Sequence, residues 1–252
     1  MGQRIVFLAP PGSKPRFGST MVDPKRWRSL LTQACRIRGS VYLQDGAIRP
    51  EDLNANGAFW LPMDETSWHL LTVNDDDEVT ATLRVTMLPL DAKKRKGKLP
   101  HVGASLSRAS RDTLSPRLTT ERFLSSLWLE YGAERNHFLV VGGWAASPTA
   151  SAAGVGAELA LSVWAFTRHV EAAGAICVAS ERHDAHGQLV RTGAVPIRAI
   201  GAQVMYYDSA YGCQVGLLGF KVFKERRALK RVVDHLATKI TSSEVVMSTA
   251  IE

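Results

Sequence analysis

Cysteine is scarce in this chain. Its 252 residues include three, Cys35, Cys177 and Cys213, odd in number and far apart. That pattern argues against a disulfide framework and against a zinc ligand set, so no metal is expected. Long apolar runs are missing as well. None approaches the roughly 18 residues of a membrane span, and before Pro10-Pro11 only Ile5 to Ala9 is apolar. That run is too short for the apolar region of a signal peptide, and a cytoplasmic setting is the expectation. Gly2 is present, but Val6 stands where a myristoylation signal needs Ser or Thr. No G-x-x-x-x-G-K-[ST] occurs, and there is no internal repeat. Carboxylates are fewer than cations, 24 against 31, for a net charge of +7. A basic balance favours acidic partners. Its densest cluster, Lys93-Lys94-Arg95-Lys96-Gly97-Lys98, has no interleaved aromatics, so nucleic acid is not among the expected partners.

What the chain does have is a stretch from His137 to Ser180 that organises the rest. Phe138 to Ala146 is an apolar run that reads as a buried strand. A Ser/Pro/Thr/Ala segment and then Gly154-Val155-Gly156 follow it. Val155, Leu159, Val163, Phe166 and Val170 then fall at helical spacing, and Ala172-Ala173-Gly174 ends that helix. Ala175 to Ala179 reads as a returning strand, which completes a βαβ-like unit. Two glycines at a helix start leave backbone N–H groups that can hold a phosphate, or they simply allow close packing. The dinucleotide fingerprint needs a third glycine, and Leu159 occupies its place.

The remaining chain orders itself around that unit. Residues 1–22 read as a loose N-terminal arm after a possible short strand. Asp23-Pro24 starts a helix, with Asp23 as cap, Trp27, Leu30, Leu31 and Ala34 inward, and Gly39 as its stop. Trp68 to Val73 and the alternating Glu78 to Leu88 form a hairpin around Asn74-Asp75-Asp76-Asp77. Residues 89–118 read as a basic, partner-binding insertion. Thr119 to Tyr131 is helical, with Thr120 as cap. Glu181 to Thr192 has a short helical tendency. Pro196 to Met205 and Tyr207 to Phe220 contain strands, and Lys224 to Lys239 is a basic helix with Leu229, Val232, Val233 and Leu236 inward. Residues 241–252 read as a tail, so one domain is expected over 23–240.

Four segments in this order carry a resemblance. Arg36-Ile-Arg38-Gly-Ser-Val-Tyr42, followed by Gly46-Ala-Ile, is one. Met63-Asp64-Glu65-Thr-Ser67-Trp-His69, a D-x-x-S-x-H spacing, is the second. Glu78-Val-Thr-Ala-Thr-Leu-Arg84 is the third, with Val85 where the pattern has Leu. Val190-Arg191-Thr-Gly193-Ala-Val-Pro196-Ile-Arg-Ala-Ile-Gly201 is the fourth. Together, over residues 25 to 220, they resemble the acyl-homoserine-lactone synthase and N-acyl amino acid synthase branch of the GNAT acyltransferases. The resemblance implies an α/β (α+β) fold with a mixed, mostly antiparallel central sheet flanked by helices.

It also implies an activity. A fatty acyl group would pass from an acyl-phosphopantetheine thioester, on acyl carrier protein or coenzyme A, to the amine of a small acceptor such as an amino acid. The alternatives are an acetyl-coenzyme A-dependent N-acetyltransferase and a non-catalytic binding module of the same fold. By this resemblance Trp144, Ala145 and Ala146 on the central strand, with Gly154, Val155 and Gly156, hold the acyl donor. Ser151 stands where the family's loop carries Arg or Gln. An acidic carrier protein suits the basic chain. Arg38, Asp64 and Arg84 shape the acceptor pocket, with Arg84 set against a substrate carboxylate; the alternatives are that Asp64 and Arg38 simply pair with each other and that Arg84 makes a structural ion pair. The family's strand glutamate is replaced here by Gly142-Gly143. Glu181 and His183 are substitute bases by position, and Tyr207, with Tyr206 and Asp208 beside it, can supply a general acid.

Overall fold

The computed structural model describes residues 2–91, 93–94, 116–132, 134–199, 201–208, 212–221 and 227–249. Most of the expected basic insertion, including residues 95–98 of the Lys/Arg cluster, lies outside them. In chain order the first elements are β1 (Gln3–Ala9), β2 (Ser19–Val22), α1 (Pro24–Gln44), β3 (Trp68–Asn74) and β4 (Val79–Pro89). Next come α2 (Pro116–Tyr131), β5 (His137–Ala146), α3 (Pro148–Ala152), α4 (Val155–His169) and β6 (Gly174–Ser180). The last are α5 (Ala185–Arg191), β7 (Val195–Pro196), β8 (Arg198–Ala199), β9 (Ala202–Gln203), β10 (Met205–Asp208), β11 (Cys213–Lys221), α6 (Arg227–Thr241) and β12 (Glu244–Met247). The fold class is as expected: mixed α/β, with mostly antiparallel strand pairs and flanking helices.

Two compact units share these elements. The first comprises residues 1–86, 142–169 and 231–252. Its strands run in the order β2-β12-β1-β3-β4, with β12 parallel to both β1 and β2. Alternation along β1 sorts its two faces. Val6 and Leu8 point to α1, where Trp27, Leu30, Leu31, Ala34 and Cys35 pack on them with Leu71, Val73 and Val246. Phe7 points the other way, into a cluster of Phe17, Trp68 and the Phe166 ring of α4, with centroids 5.2–5.8 Å apart. Every residue of β3 is buried, which is why its sequence does not alternate.

The second unit comprises residues 87–141 and 170–230, so β5 passes from one unit to the other along its length. Residues 139–141 of β5 pair in parallel with β6, and β11 runs antiparallel to β6 and β10. Leu124 and Leu127 of α2 pack with Phe138, Val140, Ile176, Ile197, Val215 and Leu217 in an apolar core.

Several local expectations hold. Asp23 caps α1, its Oδ1 accepting from Arg26 N at 2.9 Å, with Pro24 in the first turn. The hairpin and the parallel β5–β6 return form where the periodicity puts them.

Others are corrected. The N-terminal arm contains β1, which is buried between β3 and β12, and the exposed edge strand β2. The C-terminal tail contains β12, whose Glu244 is bound by Arg26 together with Asp77. Gly39 does not stop α1. It is buried in mid-helix, where a Cβ would come within 2.7 Å of Gly57 O, so it is glycine for close packing. The segment after β5 is not a plain loop: Ser147 caps the short α3, accepting from Ala150 N at 3.3 Å. Thr120 lies inside α2, which begins at Pro116. Val232 is exposed on α6, while Val233 and Leu236 are buried.

Candidate acceptor and donor sites

Arg38, Asp64 and Arg84 are brought together by three elements of the first unit. Arg38 lies on α1, one turn after Cys35. Asp64 lies in the loop that leads into β3. Arg84 lies on β4, directly opposite His69 of β3. Asp64 is fully buried, Arg38 is 1% exposed and Arg84 7%. Charges so deep are retained only when paired and hydrogen-bonded, and the bonding is dense. Arg38 grips Asp64 with both terminal nitrogens, Nη1 to Oδ1 at 2.9 Å and Nη2 to Oδ2 at 2.5 Å. This is the bidentate fork that a guanidinium makes with a carboxylate. Arg84 Nη1 donates to the same Oδ1 at 3.1 Å. Leu61 N donates to Oδ2 at 2.7 Å, and the Cys35 thiol faces that oxygen at 3.7 Å. Arg38 also donates to Phe59 O and lies over the Phe59 ring.

The D-x-x-S-x-H spacing gains a structural meaning here. His69 donates from Nε2 to the Asp64 carbonyl at 2.8 Å, which leaves its Nδ1 as the lone-pair nitrogen. Ser67 exchanges a hydrogen bond with Thr86 at 2.7 Å. The motif therefore fixes the Asp64 backbone while the two arginines fix its carboxylate.

Electrostatics follow from burial and pairing. Burial alone would raise the Asp64 carboxyl, but the Arg38 hydrogen bonds and the charges of Arg38 and Arg84 outweigh it and hold the pKa at about 2. Burial pushes His69 down to about 4, against the pull of Asp64, so the ring is neutral at neutral pH. Burial drives the Cys35 thiol up to about 12, and it stays protonated. Burial also opposes the charge on Arg38, yet the Asp64 bonds keep its pKa above the ordinary value. The inventory is thus two cations, one anion and a neutral imidazole. Among the described residues, one positive charge remains unmatched inside the cluster. Arg38 Nε, His69 Nδ1 and Thr82 Oγ1 are buried without a partner among the described residues.

Gly142 and Gly143 of β5 lie against both arginines. A Cβ on Gly143 would stand 3.0 Å from Arg38 Nη1 and 3.4 Å from the Arg84 Cβ, and its φ of +63° favours glycine in any case. Gly143 is thus the glycine that makes room for the Arg38 guanidinium.

The donor candidates also lie in the first unit. Trp144 Nε1 donates to Gly156 O at 3.0 Å, which ties β5 to the first turn of α4. Gly154 turns the chain with φ +76°, and a Cβ built on Gly156 would stand 3.8 Å from the Ala146 Cβ. Ala145 and Val155 are buried. In the first turn of α4 the N–H groups of Ala157 and Glu158 donate to Gly154 O at 3.1 and 3.2 Å.

The three catalytic candidates lie in the second unit. Glu181 is exposed at the end of β6, and His183 follows in a single 3-10 turn, Arg182–Asp184. Tyr207 is 56% exposed on β10, while its neighbours Tyr206 and Asp208 are buried. Reasoning from sequence left His69, Cys35 and Gly142 off the candidate set, although His69 closes the D-x-x-S-x-H spacing. Among the described residues, no group of three His, Cys, Asp or Glu side chains could hold a metal ion, and no helix is long and apolar enough to cross a membrane.

No family model and no curated protein matches the chain. Solved structures do. A CoA-dependent acyl-homoserine lactone synthase, BjaI, with MTA, matches at a TM-score of 0.55 and 14% identity, covering 100% of this chain and 95% of that one. BjaI with SAM and isopentyl-CoA matches at 0.53 and 15% identity, with coverage of 100% and 95%. TofI in a ternary complex with an inhibitor and MTA matches at 0.53 and 11% identity, covering 93% of this chain and 97% of that one. At these identities the likeness is one of architecture: the chain shares the fold of these acyl-homoserine lactone synthases.

Proposed function

We propose that this protein is an N-acyltransferase. It moves a fatty acyl group from a phosphopantetheine thioester, on acyl carrier protein or coenzyme A, to the amine of a small, carboxylate-bearing acceptor such as an amino acid. The observation that carries this reading is the unmatched buried cation. Arg84 has one hydrogen-bond acceptor among the described residues, Asp64 Oδ1, and a guanidinium offers five N–H donors. A substrate carboxylate supplies the missing charge.

The chemistry follows from the parts. The amine lone pair attacks the thioester carbonyl, the C–S bond breaks and the amine proton passes to a base. A base for this step needs a pKa near the working pH. Asp64, held at about 2 and saturated with donors, is excluded from that role. It positions Arg84 instead. Glu181 or His183 is the proposed base and Tyr207 the proposed acid for the departing thiolate. Trp144 to Ala146 and the turn at Gly154 to Gly156 are the proposed donor grip. Acyl carrier protein is the proposed carrier, in keeping with the net charge of +7.

Mass analysis of reactions with long-chain acyl carrier protein or acyl-coenzyme A and a pool of amino acids tests this. Free carrier with a new N-acyl amino acid is the expected result. Turnover of acetyl-coenzyme A alone would make the protein an acetyltransferase. A folded protein silent with every donor would make it a binding module.

A further inference from the structure

We infer that Gly142 determines acceptor specificity: by placing no negative charge beside Arg84, it reserves that guanidinium for a carboxylate on the acceptor. The inference rests on the reading of the protein as an N-acyltransferase and deepens it. Among the described residues, the only heavy atom within 4 Å of a Cβ built at Gly142, its own chain neighbours aside, is Arg84 Nη2, at 3.4 Å. That is ordinary van der Waals contact, and the φ of Gly142 lies outside the left-handed region. A side chain is therefore sterically and conformationally admissible here, unlike at Gly143. Gly142 is also half-buried rather than sealed, so the space beside Nη2 is reachable.

Among the described residues, nothing on the other side of Arg84 supplies a second acceptor. Asp64 is its one acceptor among the described residues, and Asp64 is already shared with Arg38, Leu61 N and Cys35. The facing residue on β3, His69, is neutral and has its donor on the Asp64 carbonyl. Among the described residues no second carboxylate reaches Arg84, and the Gly142 side is the proposed place for one. An anionic side chain at 142 would neutralise it internally and end the demand for an anionic acceptor. A glycine leaves the demand to the substrate. Acceptors bearing a carboxylate close to the amine are therefore preferred over their esters and amides.

The test uses binding probes as well as turnover. N-dodecanoyl derivatives of the amino acids and their methyl esters are titrated calorimetrically into the wild type, Gly142→Glu, Gly142→Gln and Gly142→Ala. Thermal melting verifies that each variant folds. Acyl transfer to free amino acids and to their methyl esters is measured in parallel. The wild type is expected to bind the best acid about tenfold or more tightly than its ester, the scale of one charged hydrogen-bonded pair. Gly142→Glu is expected to lose that preference while keeping the ester, and Gly142→Gln, of the same size without charge, to keep it. Gly142→Ala, which adds no charge, is expected to keep the preference for the acid over the ester. Equal loss of preference in Gly142→Gln and Gly142→Glu would reduce the residue to a steric role and overturn the inference, as would a preference that survives Gly142→Glu. Equal use of acids and esters by the wild type would overturn it too, yet leave the transferase reading standing. Absence of transfer from every donor would remove that reading, and the inference with it.

Discussion

The two units of this protein treat polar groups in opposite ways. The first buries Arg38, Asp64, His69 and Arg84 between α1 and the hairpin, and it satisfies them with a shared carboxylate. The second builds an apolar core from α2, β5, β6 and β11, and it leaves Glu181 and Tyr207 exposed. The difference teaches where function is expensive. A buried ion cluster with a surplus cation costs stability unless something uses it, whereas exposed acids and hydroxyls cost little and argue little.

The sharpest way to break the comparison is to remove the shared anion. Asp64→Ala leaves two buried guanidinium groups without a partner and is expected to cost about 3–5 kcal/mol, the scale for breaking a buried pair from one side. Urea melts followed by hydrogen exchange in β3 and β4 measure it. A loss under 1 kcal/mol would mean that water already reaches the cluster.

Acid acts on the same unit. The folded pKa of His69 lies below its unfolded value, so the unfolded chain takes up the proton first and stability falls as the pH drops. The window runs from about 6.5 down to about 4, with an expected loss of about 3 kcal/mol. The Asp64 pKa is also depressed, and its contribution is lost between about 4 and about 2. A His69→Gln variant should flatten the upper part of this profile. An unchanged profile would contradict the assigned burial.

Gly143→Ala is smaller in effect. The left-handed φ and the 3.0 Å approach to Arg38 Nη1 give an expected cost of about 1–3 kcal/mol. Glu181→Gln should be the smallest, within about 0.5 kcal/mol in a melt, as for other exposed side chains. Its effect belongs in the rate. A transfer rate unchanged by Glu181→Gln would move the proposed base to His183.

Much of this was legible before any coordinates. Local signals worked where local physics decides: the Asp23 cap, the hairpin around Asn74 to Asp77, and the helical stripe from Val155 to Phe166. The family resemblance, rather than any local signal, singled out Arg38, Asp64 and Arg84, which the structure brings into one cluster. What failed was non-local. β12 is four residues long, and its partners β1 and β2 lie more than 200 residues earlier, so nothing near Glu244 to Met247 announces a strand. β2 is exposed throughout and carries no buried stripe. Gly39 reads as a helix stop because glycine usually is one, and only the approach of Gly57 explains its place in mid-helix. The surplus charge was invisible too, since the sequence cannot show that one carboxylate serves two arginines.

Steady-state kinetics of Arg84→Gln against the wild type, with the acyl donor saturating and the amino acid varied, test the central claim most directly. The account predicts a KM for the amino acid raised about tenfold or more, with the KM for the donor and the KM for the amino acid's methyl ester nearly unchanged. Unchanged affinity for the amino acid would contradict the assignment of the buried cation to the acceptor's carboxylate.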